Sequence, residues 1–233
     1  KALGGGFSKT AYAANINGKD SELREVLHDG DDVKILGFDS EYGRRTFRHT
    51  ASHILAQAVK RLYPQAHLAI GPAIDEGFYY DIDIENKFTP DDLAKIEAEM
   101  KKIVKENLPI EKLTMERAKA IEFFEEKGEP YKVELIKDLP EDSVISLYKQ
   151  GEFTDLCAGP HLMSTGAVKA FKLTSATGAY WRGDASKKML CRIYGTAFEK
   201  QAALDEYLAA AAEAKKRDHN KLGRELELFT TSD

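Results

Sequence analysis

Two histidines lie four residues apart in the segment RHTASHILAQAVKRLYP, which covers residues 48 to 64. Residues at positions i and i+4 of a helix project from one face, with their Cβ atoms about 6 Å apart. His49 and His53 could therefore act together, as two metal ligands or as two catalytic groups. A polar edge on an amphipathic helix gives the same spacing, so this pair alone does not identify a site.

A second cluster, DLCAGPHLMS, places a thiol and a third imidazole four residues apart, at Cys157 and His161. The proline between them is incompatible with a helix interior, so a loop is predicted here. Three imidazoles and one thiolate match the ligands of a tetrahedral zinc site. They also match a metal-free hydrolytic site in which imidazole orients or deprotonates water. The residues leave both chemistries open, and a nucleophilic Cys157 is a further alternative.

The elements that must position these residues can be predicted from hydrophobic periodicity and turn residues. Helical spacing, together with capping and helix-ending residues, predicts four helices, at residues 46–64, 89–109, 114–128 and 197–229. Runs of aromatic and β-branched residues predict short strands within 1–40, two strands within 67–84, and further strands at 131–136, 144–148, 168–174 and 188–194. An interruption of the last helix is expected near Asp218 and His219.

Strands that follow one another in sequence, with the helices grouped separately, predict an α+β fold with a mostly antiparallel sheet and helices packed on it. The 233 residues are 42% hydrophobic and 31% charged, which suits one large or two modest globular domains. Two cysteines are too few for a disulfide framework. Cys191 follows a strand-like alternation and is expected to be a small core residue.

Charge and hydropathy narrow the class of protein further. The net charge of -5 argues against an indiscriminate polyanion binder, because sequence-independent phosphate binding requires a surplus of Lys and Arg. No stretch approaches the roughly 18 consecutive apolar residues of a membrane span. The N-terminal residues KALGGGFSKT lack the apolar segment of a secretory signal, so a cytoplasmic protein without a membrane partner is expected.

Longer stretches carry a family resemblance. The segments AIGPAIDEGFYYD, EPYKVELI, DLCAGPH, AFKLTSATGAYWRGD, RIYGTAF and KRDHNKLGRELELF resemble the N-terminal region of bacterial threonyl-tRNA synthetases, in the family's order and at similar spacing. The pairs His49-x3-His53 and Cys157-x3-His161 resemble the editing domain that threonyl-tRNA and alanyl-tRNA synthetases share.

The resemblance implies three regions. Residues 1–40 resemble the end of a small ubiquitin-like (β-grasp) TGS domain, residues 41–200 the editing or second additional domain, and residues 201–233 a linker helix toward the catalytic core. The chain begins with Lys1 rather than Met and is expected to be a fragment cut inside a domain. It ends where the family's aminoacylation domain would begin, so no ATP site and no tRNA charging are expected.

The implied activity is post-transfer editing, which hydrolyses the aminoacyl ester of Ser-tRNA(Thr) made in error. By resemblance, His49 and Lys132 carry the catalytic roles, with Lys132 as an oxyanion stabiliser or, if desolvated, a base. Other residues are expected to line the pocket or act as ligands: His53, Cys157, His161, Asp155 and Tyr80. Trp181 and Arg182 are candidate contacts for the RNA 3′ end, with a core role as the alternative for Trp181.

Cofactors and partners follow from the same resemblance. No cofactor is expected to be required, although zinc bound by His49, His53, Cys157 and His161 is an alternative, as in the related alanyl-specific domains. The expected partners are tRNA(Thr) mischarged with serine and the catalytic domain of the parent synthetase, itself a homodimer. A non-catalytic tRNA-binding module and a free-standing trans-editing deacylase are the alternative functions, and the retained histidines, cysteine and Lys132 argue against the first.

Overall fold

The computed structural model describes residues 10–217, which form five α-helices and eleven strands. The helices are α1 (Glu41–Leu62), α2 (Pro90–Glu106), α3 (Arg117–Glu126), α4 (Pro130–Asp138) and α5 (Gln201–Lys216). The strands are β1 (Ala13–Ile16), β2 (Lys19–Ser21), β3 (Val33–Leu36), β4 (His67–Leu68), β5 (Ala73–Ile74), β6 (Gly77–Asp83), β7 (Ile110–Met115), β8 (Ile145–Gln150), β9 (Phe153–Leu156), β10 (Ala170–Tyr180) and β11 (Met189–Phe198).

The strands form three antiparallel sheets. The first is a small N-terminal sheet with the order β2-β1-β3. The central sheet has the order β10-β11-β6-β4, and β5 pairs with β6 at its edge. The third sheet has the order β7-β8-β9. The α+β class with antiparallel sheets is thus confirmed, whereas the β-grasp assignment of the first sheet stays a prediction.

Helix α1 is the central helix of the molecule. It begins after Ser40, whose hydroxyl accepts a hydrogen bond from the Gly43 N–H and caps the first turn. Its buried face packs against α2 and β6, and the main core contains Phe47, Ile54 and Leu55 from this helix. Because apolar side chains cover so much of its surface, α1 can hold His49 and His53 at fixed positions beside the core.

Helices α3 and α4 pack against each other beside the third sheet. Pro130 starts α4 at a position where a missing N–H costs nothing, and Val133 and Ile136 pack into a core shared with α3 and β8. On the opposite side Tyr131 joins a separate small core with Trp181. Packing on both sides fixes the rotation of α4, and with it the direction of Lys132.

The prediction of a strand at residues 131–136 is wrong, because these residues belong to α4. Strand β7 was not predicted, since its pattern of one buried end and four exposed residues lacks the apolar alternation of a strand. The first helix begins five residues earlier than Thr46, at Glu41. The expected interruption near Asp218, and the predicted continuation to residue 229, lie outside the described residues.

Among residues 10–217, no helix is both long and apolar enough to cross a membrane.

Candidate active site

Helix α1 and the loop after β9 bring four polar side chains together. One ligand atom from each of His49, His53, Cys157 and His161 lies within 4.8 Å of the others. The ring centroids of His49 and His161 are 4.2 Å apart, and those of His53 and His161 are 4.0 Å apart. The two motifs predicted to cooperate therefore share one site, although more than a hundred residues separate them.

The hydrogen bonds of His49 and His161 indicate their tautomers. His49 Nδ1 lies 3.1 Å from the Pro160 carbonyl oxygen, which can only accept, so this nitrogen carries the proton. His161 Nδ1 lies 3.2 Å from Thr50 Oγ1, whose own proton is donated to the Thr46 carbonyl. His161 Nδ1 is therefore also the donor, and both Nε2 atoms are left as acceptors.

Both Nε2 acceptors face the same thiol. Cys157 Sγ is 3.2 Å from Nε2 of His161 and 3.4 Å from Nε2 of His49. A thiol has one proton to donate. If the shorter contact takes that proton, the lone pair on His49 Nε2 is free to accept from another donor, such as a water molecule.

Burial controls the charges in this cluster. Desolvation lowers the pKa of His53 to about 4, although Asp155 opposes the shift. Burial, followed by the neighbouring His53, also lowers the pKa of His49 and of His161 below the ordinary value. Burial raises the pKa of the Cys157 thiol to about 12. Near pH 7 the cluster therefore consists of neutral imidazoles and a protonated thiol, which disfavours a nucleophilic role for Cys157.

The same four residues fit a metal ion. Bonds of 2.0–2.3 Å in a tetrahedral zinc site place its ligand atoms about 3.3–3.8 Å apart, close to the contacts of Cys157 with the two imidazoles. Among the described residues, the buried His53 Nδ1 has no hydrogen-bond partner, so it is available as a ligand. A bound zinc ion would supply Lewis-acid chemistry and lower the pKa of a bound water.

A buried ion pair adjoins the cluster. Lys132 Nζ lies 2.6 Å from Asp155 Oδ1 and donates to the Tyr80 hydroxyl at 2.9 Å. Tyr80 in turn donates to Asp155 Oδ2 at 2.5 Å, and His53 Nε2 lies 3.6 Å from the same oxygen. Burial would raise the pKa of Asp155, but Lys132 and the other donors outweigh it, so the net shift is downward. The pKa of Tyr80 rises well above its usual value, through burial first and Asp155 second.

A cavity of about 330 Å³ connects the two groups. It is lined by side chains from the cluster, from the ion pair and from the start of the central sheet, among them His49, His53, Cys157, Lys132, Asp155 and Tyr80. His161 lies behind the cavity and is 1% exposed. Hence all the predicted catalytic and pocket residues except His161 line a single cavity.

The two predicted RNA contacts do not line this cavity. Trp181 is 3% exposed, packs edge-on against Tyr131 and donates its indole N–H to Glu134. Its position corresponds to the core alternative rather than to a platform for a stacked base. Arg182 is exposed and forms ion pairs with Glu134 and Asp138.

Several residues of the site were not predicted from the sequence. Thr50 follows His49 directly, and its hydroxyl binds both His161 Nδ1 and the Leu162 N–H. Tyr148 packs against the His161 ring at 4.5 Å. A hydroxyl residue directly after His49 was a weak signal that Thr50 belongs to the site. No sequence signal pointed to Tyr148, because its partner His161 lies on another segment.

Comparisons with known proteins identify related sequences. Residues 145–194 match the family described as the threonyl and alanyl tRNA synthetase second additional domain. The matched segment contains Cys157 and His161 and most of the two strands that follow. His49 and Lys132 lie outside it, so their place in the site rests on the fold.

Curated relatives match nearly the whole chain. Threonine–tRNA ligase of Clostridium acetobutylicum is 64% identical over 230 residues, 99% of this chain and 36% of the relative. The ligase of Clostridium tetani is 62% identical over 97% of this chain and 35% of the relative. That of Acetivibrio thermocellus is 59% identical over 98% of this chain and 36% of the relative. The expected resemblance is confirmed: the chain is related along nearly its whole length to bacterial threonine–tRNA ligases and corresponds to an N-terminal segment of them.

Proposed function

We propose that this chain hydrolyses the aminoacyl ester of tRNA(Thr) mischarged with serine. The observation that supports the proposal most strongly is the shared cavity, in which the neutral imidazoles of His49 and His53 and the Cys157 thiol lie beside the buried pair of Lys132 and Asp155. Ester hydrolysis requires an oriented water, an acceptor for its proton and stabilisation of the oxyanion that forms. The residues around the cavity can supply all three.

His49 is the best candidate for the proton acceptor. It is the most exposed of the three imidazoles, and its Nδ1–H donates to the Pro160 carbonyl, which holds the ring in one orientation. Its Nε2 lone pair competes with that of His161 for the single proton of Cys157. A water in the cavity could therefore donate to His49 Nε2, and the lowered pKa of His49 keeps this nitrogen unprotonated near pH 7.

Lys132 is the best candidate for the oxyanion stabiliser. Its ammonium group donates to Asp155 and to Tyr80, which accounts for two of its three N–H groups. The third N–H can point toward the cavity that Lys132 lines. An ammonium held by a carboxylate at 2.6 Å is suited to bind developing negative charge rather than to remove a proton, which favours the oxyanion role over the base role.

Selection for serine needs a site that works by exclusion. A synthetic site that binds the hydroxyl of threonine also accepts serine, and one methyl group is worth only about 1 to 3 kcal/mol of binding. In our proposal His53 and Cys157 form the wall that accepts a serine side chain and clashes with the additional methyl group of threonine, and His161 packs behind this wall. The tight packing of these side chains makes that wall rigid.

The proposed partners follow from the proposed reaction. The substrate is tRNA(Thr) carrying serine, and the remaining part of the parent ligase supplies the mischarged product. We propose a cytoplasmic location and a homodimeric parent on the same basis. Because the chain spans about 36% of the length of its relatives, their ligase activity is not transferred to it.

The test is a deacylation assay with purified chain and two substrates, Ser-tRNA(Thr) and Thr-tRNA(Thr). We expect rapid release of serine, slow release of threonine, and loss of the serine reaction in the His49→Ala and Lys132→Ala variants. Matched controls are His28→Ala and Lys149→Ala, which remove the same side chains from exposed positions. Faster release of threonine than of serine, or full activity of both site variants, would exclude the proposed reaction.

A further inference from the structure

Glu22 belongs to the N-terminal region and follows β2, yet its carboxylate lies against the loop that carries Cys157 and His161. Oε1 of Glu22 accepts the backbone N–H of His161 at 2.6 Å and the hydroxyl of Tyr148 at 2.8 Å. The Glu22 side chain is only 9% exposed. A buried carboxylate with two donors on one oxygen fixes both donors, because leaving either unpaired is costly.

Arg24 completes this contact. It forms an ion pair with Oε2 of Glu22 at 3.2 Å and thereby balances the charge. Its guanidinium also donates to the carbonyl oxygens of Leu162 at 2.8 Å and Ile110 at 3.0 Å. The N-terminal region therefore fixes the backbone at His161 and at the next residue. Glu22 accepts the N–H of His161, and Arg24 donates to the carbonyl oxygen of Leu162.

The contact leads directly to the reacting groups. Tyr148 packs on the ring of His161, whose Nε2 is 3.2 Å from the thiol that also contacts His49. Gly159 has a left-handed φ of +82°, and a Cβ there would overlap the Tyr148 hydroxyl. The loop at Gly159 therefore lies so close to Tyr148 and Glu22 that no side chain fits between them.

We propose that Glu22 is a positioning residue for the deacylation reaction, an inference that rests on the proposed function. The N-terminal sheet region supplies the carboxylate that fixes the Cys157–His161 loop relative to His49. Glu22 lies outside the catalytic cavity and has no contact with the reacting atoms. Its effect is therefore transmitted through the His161 backbone and the Tyr148 ring.

The first experiment measures Ser-tRNA(Thr) deacylation by the full 233-residue chain and its variants. We expect Glu22→Ala to lower kcat at least tenfold while KM changes less than twofold, because the loop moves but the RNA contacts remain. Glu22→Gln should recover much of the rate, because its amide oxygen can still accept from His161. Glu25→Ala is the matched control, since Glu25 is exposed and three residues away. A wild-type kcat in Glu22→Ala would overturn the inference.

Alkylation separates loop displacement from general unfolding. Each cysteine is followed by mass spectrometry during reaction with iodoacetamide, with Cys191 in β11 as an internal reference. We expect Glu22→Ala to accelerate modification of Cys157 several-fold and to leave Cys191 unchanged. Equal acceleration at both cysteines, or none at Cys157, would overturn the inference, because the variant would then act by unfolding or not act on the loop.

Two further outcomes keep the proposals distinguishable. If Glu22→Ala does not fold, Glu22→Asp replaces it, because aspartate keeps the charge but is one methylene too short to reach both donors. A lower kcat in Glu22→Asp than in Glu22→Gln supports the positioning role. Wild-type kcat values in both variants refute it. If the wild-type chain releases no serine at all, the proposed function fails, while the Cys157 reactivity still tests whether Glu22 fixes the loop.

Discussion

Removal of Lys132 should leave a carboxylate buried without its cation, and this permits a quantitative test. Lys132 and Asp155 are each 3% exposed in their side chains and lie 2.6 Å apart. Breaking a buried pair by removing one partner typically costs about 3 to 5 kcal/mol, because the other charge remains desolvated. We therefore expect Lys132→Met and Asp155→Asn each to lower the free energy of unfolding by about that amount.

The double variant provides the magnitude of the interaction itself. Lys132→Met with Asp155→Asn removes both charges, so its loss should be well below the sum of the two single losses, with a coupling free energy of at least about 2 kcal/mol. Tyr80 can still donate to the amide oxygen at position 155, which preserves one hydrogen bond of the network. If Lys132 acts in the chemistry, the double variant should regain stability without regaining deacylation.

The assay is urea unfolding followed by far-UV circular dichroism and by the fluorescence of Trp181, the only tryptophan in the chain. With a slope of roughly 3 kcal/mol per M, a single variant should shift the midpoint by about 1 to 2 M. The matched control is the cycle of Lys137 and Glu125, an ion pair of α4 and α3 with both side chains 58% exposed. Its coupling should stay within about 1 kcal/mol.

Two results would refute this reasoning. A coupling below about 0.5 kcal/mol between Lys132 and Asp155 would mean that the pair is hydrated in solution and carries no desolvation cost. A Lys132→Met variant as stable as the wild type would mean that Asp155 finds another partner or becomes protonated without penalty. Either result would also weaken the assignment of Lys132 as a fixed ammonium at the cavity.

Three further predictions concern the remaining site residues. The pKa of His53 is about 4 in the folded chain and 6.5 when the side chain is exposed in the unfolded chain. As the pH falls below 6.5, the unfolded chain therefore binds a proton that the folded chain does not, and the free energy of unfolding decreases until the pH reaches about 4. At pH 5 this loss amounts to about 2 kcal/mol, and urea unfolding of His53→Gln should show a correspondingly smaller dependence on pH. The deacylation rate should fall less than tenfold in Cys157→Ala. It should also be retained after dialysis against a zinc chelator, whereas activity that is lost on chelation and restored by zinc would assign the metal a role. Arg182→Ala should raise KM for the aminoacyl-tRNA in a salt-dependent way, whereas Trp181→Phe should lower the unfolding midpoint and leave KM unchanged.

Local patterns predicted the elements that carry the chemistry. The spacing of His49 and His53 correctly indicated one helix face, because an amphipathic helix repeats every few residues within a single segment. The proline between Cys157 and His161 correctly indicated a loop, since its ring is incompatible with a helix interior. Both signals depend only on neighbours in sequence.

The strand predicted at residues 131–136 shows where local patterns fail. Tyr131, Val133 and Leu135 alternate with polar residues, which is typical of a strand, and β-branched and aromatic types favour the same conformation. Packing against α3 decided otherwise, because Val133 and Ile136 meet the core only on a helix. The same helix directs Lys132 to its partner.

Contacts between distant segments could not be predicted from one sequence. The partners of Lys132 are Asp155 and Tyr80, which lie on different sheets, and no periodicity relates the three positions. Glu22 was equally invisible as a neighbour of His161, because it belongs to a region that was assigned to another domain. A family resemblance named Lys132, Asp155 and Tyr80 as site residues, but their hydrogen bonds required the fold.

The distance along the chain between the two halves of the site also affects biosynthesis. Position 157 lies 108 residues after position 49. At about 5 to 20 residues per second, a ribosome would need roughly 5 to 20 seconds to add the second half after the first. During that interval α1 lacks the loop that carries Cys157 and His161, so the cluster stays incomplete until the second segment has been synthesised.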